Sequence, residues 1–201
     1  MHSLSKLLIV CGLLMLSAHA ASAQQHNPWK REPVKSRFET KYDPAKDETV
    51  VQLEALVLID KTEPGSNNPL PFLNEGLRLS ASFTYPGKTF TSPKFVTLSF
   101  LSISHDKLLY EDGEELIVKV KDARASLGKL KVSNNKTTVS WPGRNLQSLF
   151  QILNVNVSPE DFNRIVNEKS VTFIIGKTSV KLMSSDLKAL RELASRMTSA
   201  P

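Results

Sequence analysis

The chain has little cysteine, histidine or glycine: one Cys, four His and eight Gly in 201 residues, with aromatics at 7%. Cys11 sits in an N-terminal apolar run, and loss of residues 1–23 would remove it together with His2 and His19. The chain left behind has no disulfide, no thiolate nucleophile and no cysteine metal ligand. It keeps only His26 and His105. A zinc site takes three or four ligands, mostly His or Cys, so that chemistry is disfavoured. A Ser-His-Asp triad would have to use His105. The glycines fall singly in turns, so there is no Gly-rich phosphate loop. Beyond the N-terminal run, no apolar stretch approaches the roughly 18 residues of a membrane-spanning helix.

What is present begins with a targeting pattern. Lys6 precedes an apolar run at 7–16, and the small-residue triplets Ala18-His19-Ala20 and Ala21-Ser22-Ala23 follow. The run is too short to span a bilayer, so residues 1–23 read as a secretory signal peptide, cleaved after Ala20 or Ala23. The expected location is the periplasm or the extracellular space. Residues 24–47 read as a leader with no clear period, containing Pro28, Pro33 and Pro44. Lys30, Arg31, Lys35, Arg37, Lys41 and Lys46 alternate there with Trp29, Phe38 and Tyr42. Such a segment can lie on an anionic membrane or polymer. Glu32, Glu39, Asp43 and Asp47 dilute its charge, which favours a tether or a strand-like arm.

Residues 48–201 read as one β-rich domain. Val51, Leu53, Ala55, Val57 and Ile59 alternate with their neighbours, and Leu77, Leu79, Ala81, Phe83 and Tyr85 alternate against Arg78, Ser80, Ser82 and Thr84. A proline- and glycine-containing loop at 61–76 separates them. A third strand covers 95–103. The pair Asp112-Gly113 predicts a hairpin between 108–110 and 116–120, and Asn134-Asn135 a second between 127–132 and 137–141. A strand follows at about 148–157. Ser158 and Pro159, with Glu160 and Asp161, start a short helix carrying Phe162, Ile165 and Val166 inward and ending near Asn167. Gly176-Lys177 turns a third hairpin, and an amphipathic helix at about 185–197, capped by Ser184 or Ser185, closes the chain. In that helix Leu187, Leu190, Ala194 and Met197 form the apolar stripe, with Lys188, Arg191, Glu192 and Arg196 outward. The fold class is mostly β: an antiparallel β-sandwich or open barrel of about eight strands with a short helix and a C-terminal amphipathic helix.

Few constellations suggest chemistry. Glu111, Asp112, Glu114 and Glu115 surround Gly113, but their spacing lacks the alternating pattern of a calcium loop, and an acidic turn is most often a solubility device. His105-Asp106 is adjacent in sequence, so on a strand the two would point to opposite faces. No catalytic, cofactor or metal residue is assigned. Asn135-Lys136-Thr137 and Asn156-Val157-Ser158 fit the glycosylation triplet, which occurs often by chance. The net charge of +6 suits anionic partners outside the cytoplasm, whereas an exported chain meets little nucleic acid.

Lys41-Tyr42-Asp43, Asp47-x-Thr49-x-Val51, Phe83-x-Tyr85-x-Gly87-Lys88 and Tyr110-x-Asp112-Gly113 form one set of motifs. Asp161-Phe162-x-x-Ile165, Leu182 and Leu187-x-x-Leu190-Arg191 complete it. Together, over about residues 40–197, they resemble uncharacterised secreted bacterial proteins with a β-rich body and a C-terminal helix. The resemblance implies an envelope location and no activity. The functional expectation is a non-enzymatic binding or interaction module for an envelope protein or an anionic envelope polymer. The alternatives are a metal-independent hydrolase working through carboxylates and a structural subunit of an envelope complex. Loops on a rigid scaffold commonly carry recognition, so Trp29 in the leader, Phe72 in the 61–76 loop and Phe90 in the 86–94 loop are the candidate surface residues.

Overall fold

The computed structural model of the chain describes residues 38–61, 74–141 and 144–198. Its order is β1 (Phe38–Asp43), β2 (Glu48–Asp60), β3 (Gly76–Pro86), β4 (Val96–Ser104), β5 (Glu115–Val120), β6 (Ala123–Lys129), β7 (Lys131–Trp141) and β8 (Arg144–Val157). Then come α1 (Pro159–Val166), β9 (Val171–Ile175), β10 (Thr178–Lys181) and α2 (Ser184–Arg196). A six-stranded sheet runs β1-β2-β3-β4-β8-β7 and a four-stranded sheet runs β10-β9-β5-β6. Every pairing is antiparallel. Among the described residues the architecture is thus a mostly β, sandwich-like fold with no closed barrel, and ten strands stand where the sequence suggested about eight.

Alternation decides which face is buried. Leu77, Leu79, Ala81, Phe83 and Tyr85 of β3 are buried, while Arg78, Ser80, Ser82 and Thr84 between them are half-exposed. Val96, Leu98 and Phe100 of β4 and Leu153, Val155 and Val157 of β8 extend the same face. The second sheet closes over it through Leu116, Val118, Phe173 and Ile175. Phe100 meets Phe173 edge to face across the layers, with ring centroids 5.8 Å apart. Leu187, Leu190 and Leu193 of α2 bury into the same core. Gly128 of β6 allows close approach of the sheets, because an added Cβ would stand 3.3 Å from Val155 Cγ2.

Strand β2 departs from the simple alternation. Its pairing with β3 slips between Leu53 and Leu56 and again between Val57 and Ile59. Each slip adds a residue on β2, as in a β-bulge, and shifts the buried parity. Val51 and Leu53 are buried, then Leu56 and Leu58; Ala55 is exposed and Val57 half-exposed. The face assigned from period two is therefore correct for Val51 and Leu53, wrong for Ala55 and Val57, and correct again at Ile59, which packs against the core.

Two hairpins predicted from turn residues are not formed. The Glu111–Glu114 turn exists, with Glu114 N–H donating to the Glu111 carbonyl and Gly113 at φ 82°. Residues 108–110 are not a strand, however. Gly113 N–H donates to the Leu130 carbonyl at 3.0 Å, and Leu130 N–H to the Glu114 carbonyl at 2.8 Å. Strand β5 turns instead through Lys121-Asp122 into β6, with Val120 facing Ala123 and Lys121 at φ 53°. Asn134 and Asn135 lie inside β7, facing Gln151 and Phe150 of β8. The Gly176 hairpin forms as read, with Ile175 facing Thr178.

Helix α1 begins as its sequence dictates. Ser158 Oγ accepts the Asp161 N–H at 3.0 Å, Pro159 opens the first turn, and Arg164 pairs with Asp161 at 2.6 Å. Ser158→Ala removes the cap and is expected to destabilise the protein by about 1 kcal/mol in urea unfolding, with the slope unchanged. Helix α2 differs from the reading: neither serine caps it. Met183 is the N-cap residue, and its N–H donates to Asp186 Oδ2 at 2.8 Å. Arg191 does not simply face solvent. Its guanidinium donates to the Val166 carbonyl at 2.7 Å and the Glu168 carbonyl at 3.0 Å, satisfying acceptors at the C-terminal end of α1. Arg196 stacks over the Phe38 ring at 4.4 Å and so ties α2 to the edge strand β1.

Candidate functional site at the β1–β2 end of the sandwich

Phe90 is half-buried. Its ring meets Tyr85 edge to face at 5.3 Å and packs on the core cluster, anchoring the loop after β3. Trp29 and Phe72 lie outside the described residues, as do the signal segment and most of the leader. The end of that leader is different: Phe38–Asp43 pairs in full register with β2, from Phe38↔Leu53 to Asp43↔Glu48.

His105 sits at the end of β4 and is exposed. Its N–H donates to Glu75 Oε1 at 2.7 Å. Its Nδ1 lies 3.2 Å from the Gln147 carbonyl and 3.3 Å from Ser148 Oγ. A carbonyl only accepts, so that contact makes Nδ1 the proton donor. A ring nitrogen carrying its proton cannot take one from Ser148, and Ser148 is itself fully buried. The trio is a structural tie and lacks the geometry of an activated serine.

In the 111–115 turn Asp112 is committed to structure, whereas Glu114 Oε2 is buried with no hydrogen-bond partner among the described residues. Asp112 Oδ1 accepts the Val132 N–H at 2.9 Å. Among the described residues, no three His, Cys, Asp or Glu side chains gather as a metal-ligand group. Burial pushes the neighbouring Tyr110 phenol above its ordinary pKa; its hydrogen bond with Thr178 Oγ1, 3.0 Å away, opposes the rise and the charge of Glu114 adds to it.

The most distinctive surface feature lies at the turn end of β1 and β2. There an open depression of about 460 Å³ is lined by Glu39, Lys41, Tyr42, Asp43, Val50 and Gln52, with Pro44 at its end. Register explains the grouping: Glu39 faces Gln52 and Lys41 faces Val50. These positions lie on the solvent side of strands whose alternate residues Val51 and Leu53 are buried. Tyr42 is fixed at the rim. Its hydroxyl donates to Asp47 Oδ1 at 2.7 Å, and the Lys88 ammonium stands 4.8 Å over its ring. The Asp47 hydrogen bond, then slight desolvation and the charges of Asp47 and Asp43, raise the Tyr42 pKa, so the phenol stays a neutral donor at ordinary pH.

Lys88 reaches this rim because two turns are joined. Gly87 N–H donates to the Asp47 carbonyl at 2.6 Å, and Thr49 Oγ1 donates to the Gly87 carbonyl at 2.6 Å. Asp47 at φ 49° and Gly87 at φ 65° both adopt left-handed backbone to make the fit. The depression thus combines one ammonium group, two carboxylates and an amide on the outer face of a sheet edge, with Tyr42, which alternates to the other face of β1, at its rim beneath Lys88.

The outer face of the six-stranded sheet is the other polar surface. Rows across its strands read Ser80-Ser99-Asn154 and Ser82-Thr97-Asn156. Its side chains are largely consumed among themselves: Ser99 Oγ donates to Asn154 Oδ1 at 2.6 Å and Thr97 Oγ1 to Asn156 Oδ1 at 2.9 Å.

Reading for aromatics in loops missed the depression, because Tyr42 falls within the stretch assigned to the leader. The signal was present. Phe38, Thr40 and Tyr42 alternate with Glu39, Lys41 and Asp43, and a Pro44–Asp47 turn leads into the next alternating run. No helix among the described residues is long and apolar enough to cross a membrane. Comparison with known proteins finds no matching family model, no matching curated protein and no matching solved structure.

Proposed function

We propose that the chain is an exported, non-enzymatic binding module that recognises an anionic, hydroxyl-rich envelope polymer through the β1–β2 depression. The observation that carries this reading is the grouping of Lys41, Glu39, Asp43 and Gln52 in an open cleft whose rim holds the Tyr42 ring and, over it, Lys88. An aromatic face stacks on the apolar face of a sugar ring, the ammonium groups pair with carboxylates along the polymer, and Gln52 and Glu39 hydrogen-bond to hydroxyls. The openness of the cleft suits an internal segment of a chain, which must enter and leave on both sides. Export rests on the N-terminal targeting pattern, and envelope polymers are the anionic material such a protein meets.

Co-sedimentation of residues 24–201 with purified peptidoglycan sacculi tests the reading. The wild type is expected to pellet with the sacculi and to be released by salt. Tyr42→Ala is expected to weaken retention by about tenfold, as loss of one stacking ring does. Tyr42→Phe keeps the ring and is expected to retain most binding. Equal retention of wild type and Tyr42→Ala, or no retention of either, would contradict the assignment.

A further inference from the structure

Among the described residues the two sheets end in β1, β7, β10 and β6, and three of these edges resist further pairing. Strand β10 is four residues long. Strand β1 is six residues long and carries Glu39, Lys41 and Asp43. Strand β6 is interrupted by the register slip opposite Leu116 and Ile117. Shortness, charge and bulging all keep a strand edge from pairing with another chain. Strand β7 is different. It is eleven residues long, has no proline, and pairs with β8 without a slip from Lys131↔Asn154 to Trp141↔Arg144. Its residues 133–138 are exposed.

Two side chains show which way the outer donors of β7 point. Asp112 Oδ1 accepts the Val132 N–H at 2.9 Å, and Asn135 Oδ1 accepts the Lys136 N–H at 2.8 Å. Neither acceptor belongs to β8, so the even-numbered N–H groups of β7 face away from that strand. The Asn134 and Thr138 N–H groups share that direction, and no loop or side chain meets them among the described residues. This edge therefore has the donors of an unfilled ladder.

Charge decides what fills it. Lys131 and Lys136 are the only charged residues of β7, and neither is ion-paired among the described residues. A second copy of the edge, related by a two-fold axis, would gather the lysines of both strands with no acid to meet them. The same lysines favour an acidic strand. Being an odd number of positions apart, they lie on opposite faces, so one acid on each face of the incoming strand answers both. We infer that β7 takes up an extended acidic segment of a partner protein as an added strand of the larger sheet. Main-chain hydrogen bonds supply the affinity, and the two lysines select the segment and its register.

The test is fluorescence anisotropy of the labelled peptide Thr-Glu-Thr-Val-Thr-Val-Glu-Thr, titrated with residues 24–201. Its analogue carries Lys in place of both Glu. Saturable one-to-one binding of the Glu peptide is expected, with the Lys peptide weaker by about tenfold or more. The double variant Lys131→Glu with Lys136→Glu is expected to reverse that order. Thr138→Pro removes one outward donor and leaves the ladder to β8 in place. It is expected to weaken the Glu peptide by about tenfold while the thermal unfolding midpoint stays within a few degrees. The charge reversal alters only exposed side chains, so it decides the matter even where Thr138→Pro does not fold. Tyr42→Ala should bind the peptide as the wild type does, which separates this edge from the β1–β2 depression. Three results would overturn the inference: no saturable binding of the Glu peptide, equal binding of both peptides, or a concentration-dependent dimer of the wild type that Thr138→Pro disperses.

Discussion

Gly76→Ala is expected to be the most damaging small substitution in the protein, at about 3 kcal/mol or more of lost stability, and to leave little folded material at 37 °C. Gly76 is paired on both sides, with Asp60 of β2 and Ile103 of β4. Its φ is +159°, and an added Cβ would fall inside the van der Waals envelope of the Ile59 carbonyl oxygen and 3.0 Å from the carbonyl carbon. Both atoms are backbone within the sheet and cannot rotate away, so a whole strand must shift. Gly113 supplies the contrast. Its φ is +82°, but nothing lies within 4 Å of its added Cβ, so Gly113→Ala carries only the backbone penalty, about 1 kcal/mol. Urea unfolding of both variants checks the pair. Equal losses would show that the carbonyl contact does not govern Gly76.

Gln151→Leu is expected to cost about 3 kcal/mol, although it exchanges a polar for an apolar side chain of similar size in the interior. Gln151 is 1% exposed and uses every hydrogen-bonding position it has. Its Oε1 accepts the N–H groups of Leu109 at 2.6 Å and Tyr110 at 3.1 Å. Its Nε2 donates to the Tyr110 carbonyl at 2.8 Å and to Asn134 Oδ1 at 3.1 Å. One side chain therefore does for residues 109–110 what a neighbouring strand would otherwise do. Leucine would leave those backbone groups without their partner. Unfolding free energy and amide exchange should both respond, with the Leu109 and Tyr110 amides losing protection before those of β3 and β4. An unchanged exchange rate at those two amides would contradict this role.

These two residues also show where the sequence was legible and where it was not. The alternation of β3 was readable because every residue keeps its face over the whole strand, with no bulge to reverse the parity. In β2 the same pattern misleads at Ala55 and Val57, between the two slips, since bulges depend on how two strands meet and leave no mark in one strand's own spacing. Leu108, Leu109 and Tyr110 look like a strand by composition, but a glutamine 41 residues beyond Tyr110 bonds the backbone of Leu109 and Tyr110 instead. Asn134 and Asn135 carry strong turn propensity, and pairing with β8 overrides it. The start of α1 was legible in full because capping is local: Ser158, Pro159 and Asp161 act within one turn. The β1–β2 depression was not assigned, because most of its parts come from a segment read as an arm, which becomes a strand only by pairing with β2.

The two surface proposals use different parts of the scaffold. The depression lies on edge strand β1 of the larger sheet, braced by the Asp47–Gly87 turn contacts and by Arg196 stacking on Phe38. The docking edge is β7, at the opposite side of the same sheet. Each is built on regular elements, which hold recognition groups more firmly than free loops do.

Amide chemical-shift mapping of isotope-labelled residues 24–201, titrated with a soluble disaccharide-peptide fragment of peptidoglycan, tests the central claim most directly. The account predicts saturable shifts confined to Glu39–Asp47, Val50, Gln52 and Gly87-Lys88, and their loss in Tyr42→Ala. Shifts centred on another surface, or none at concentrations where sacculi retain the protein, would contradict it.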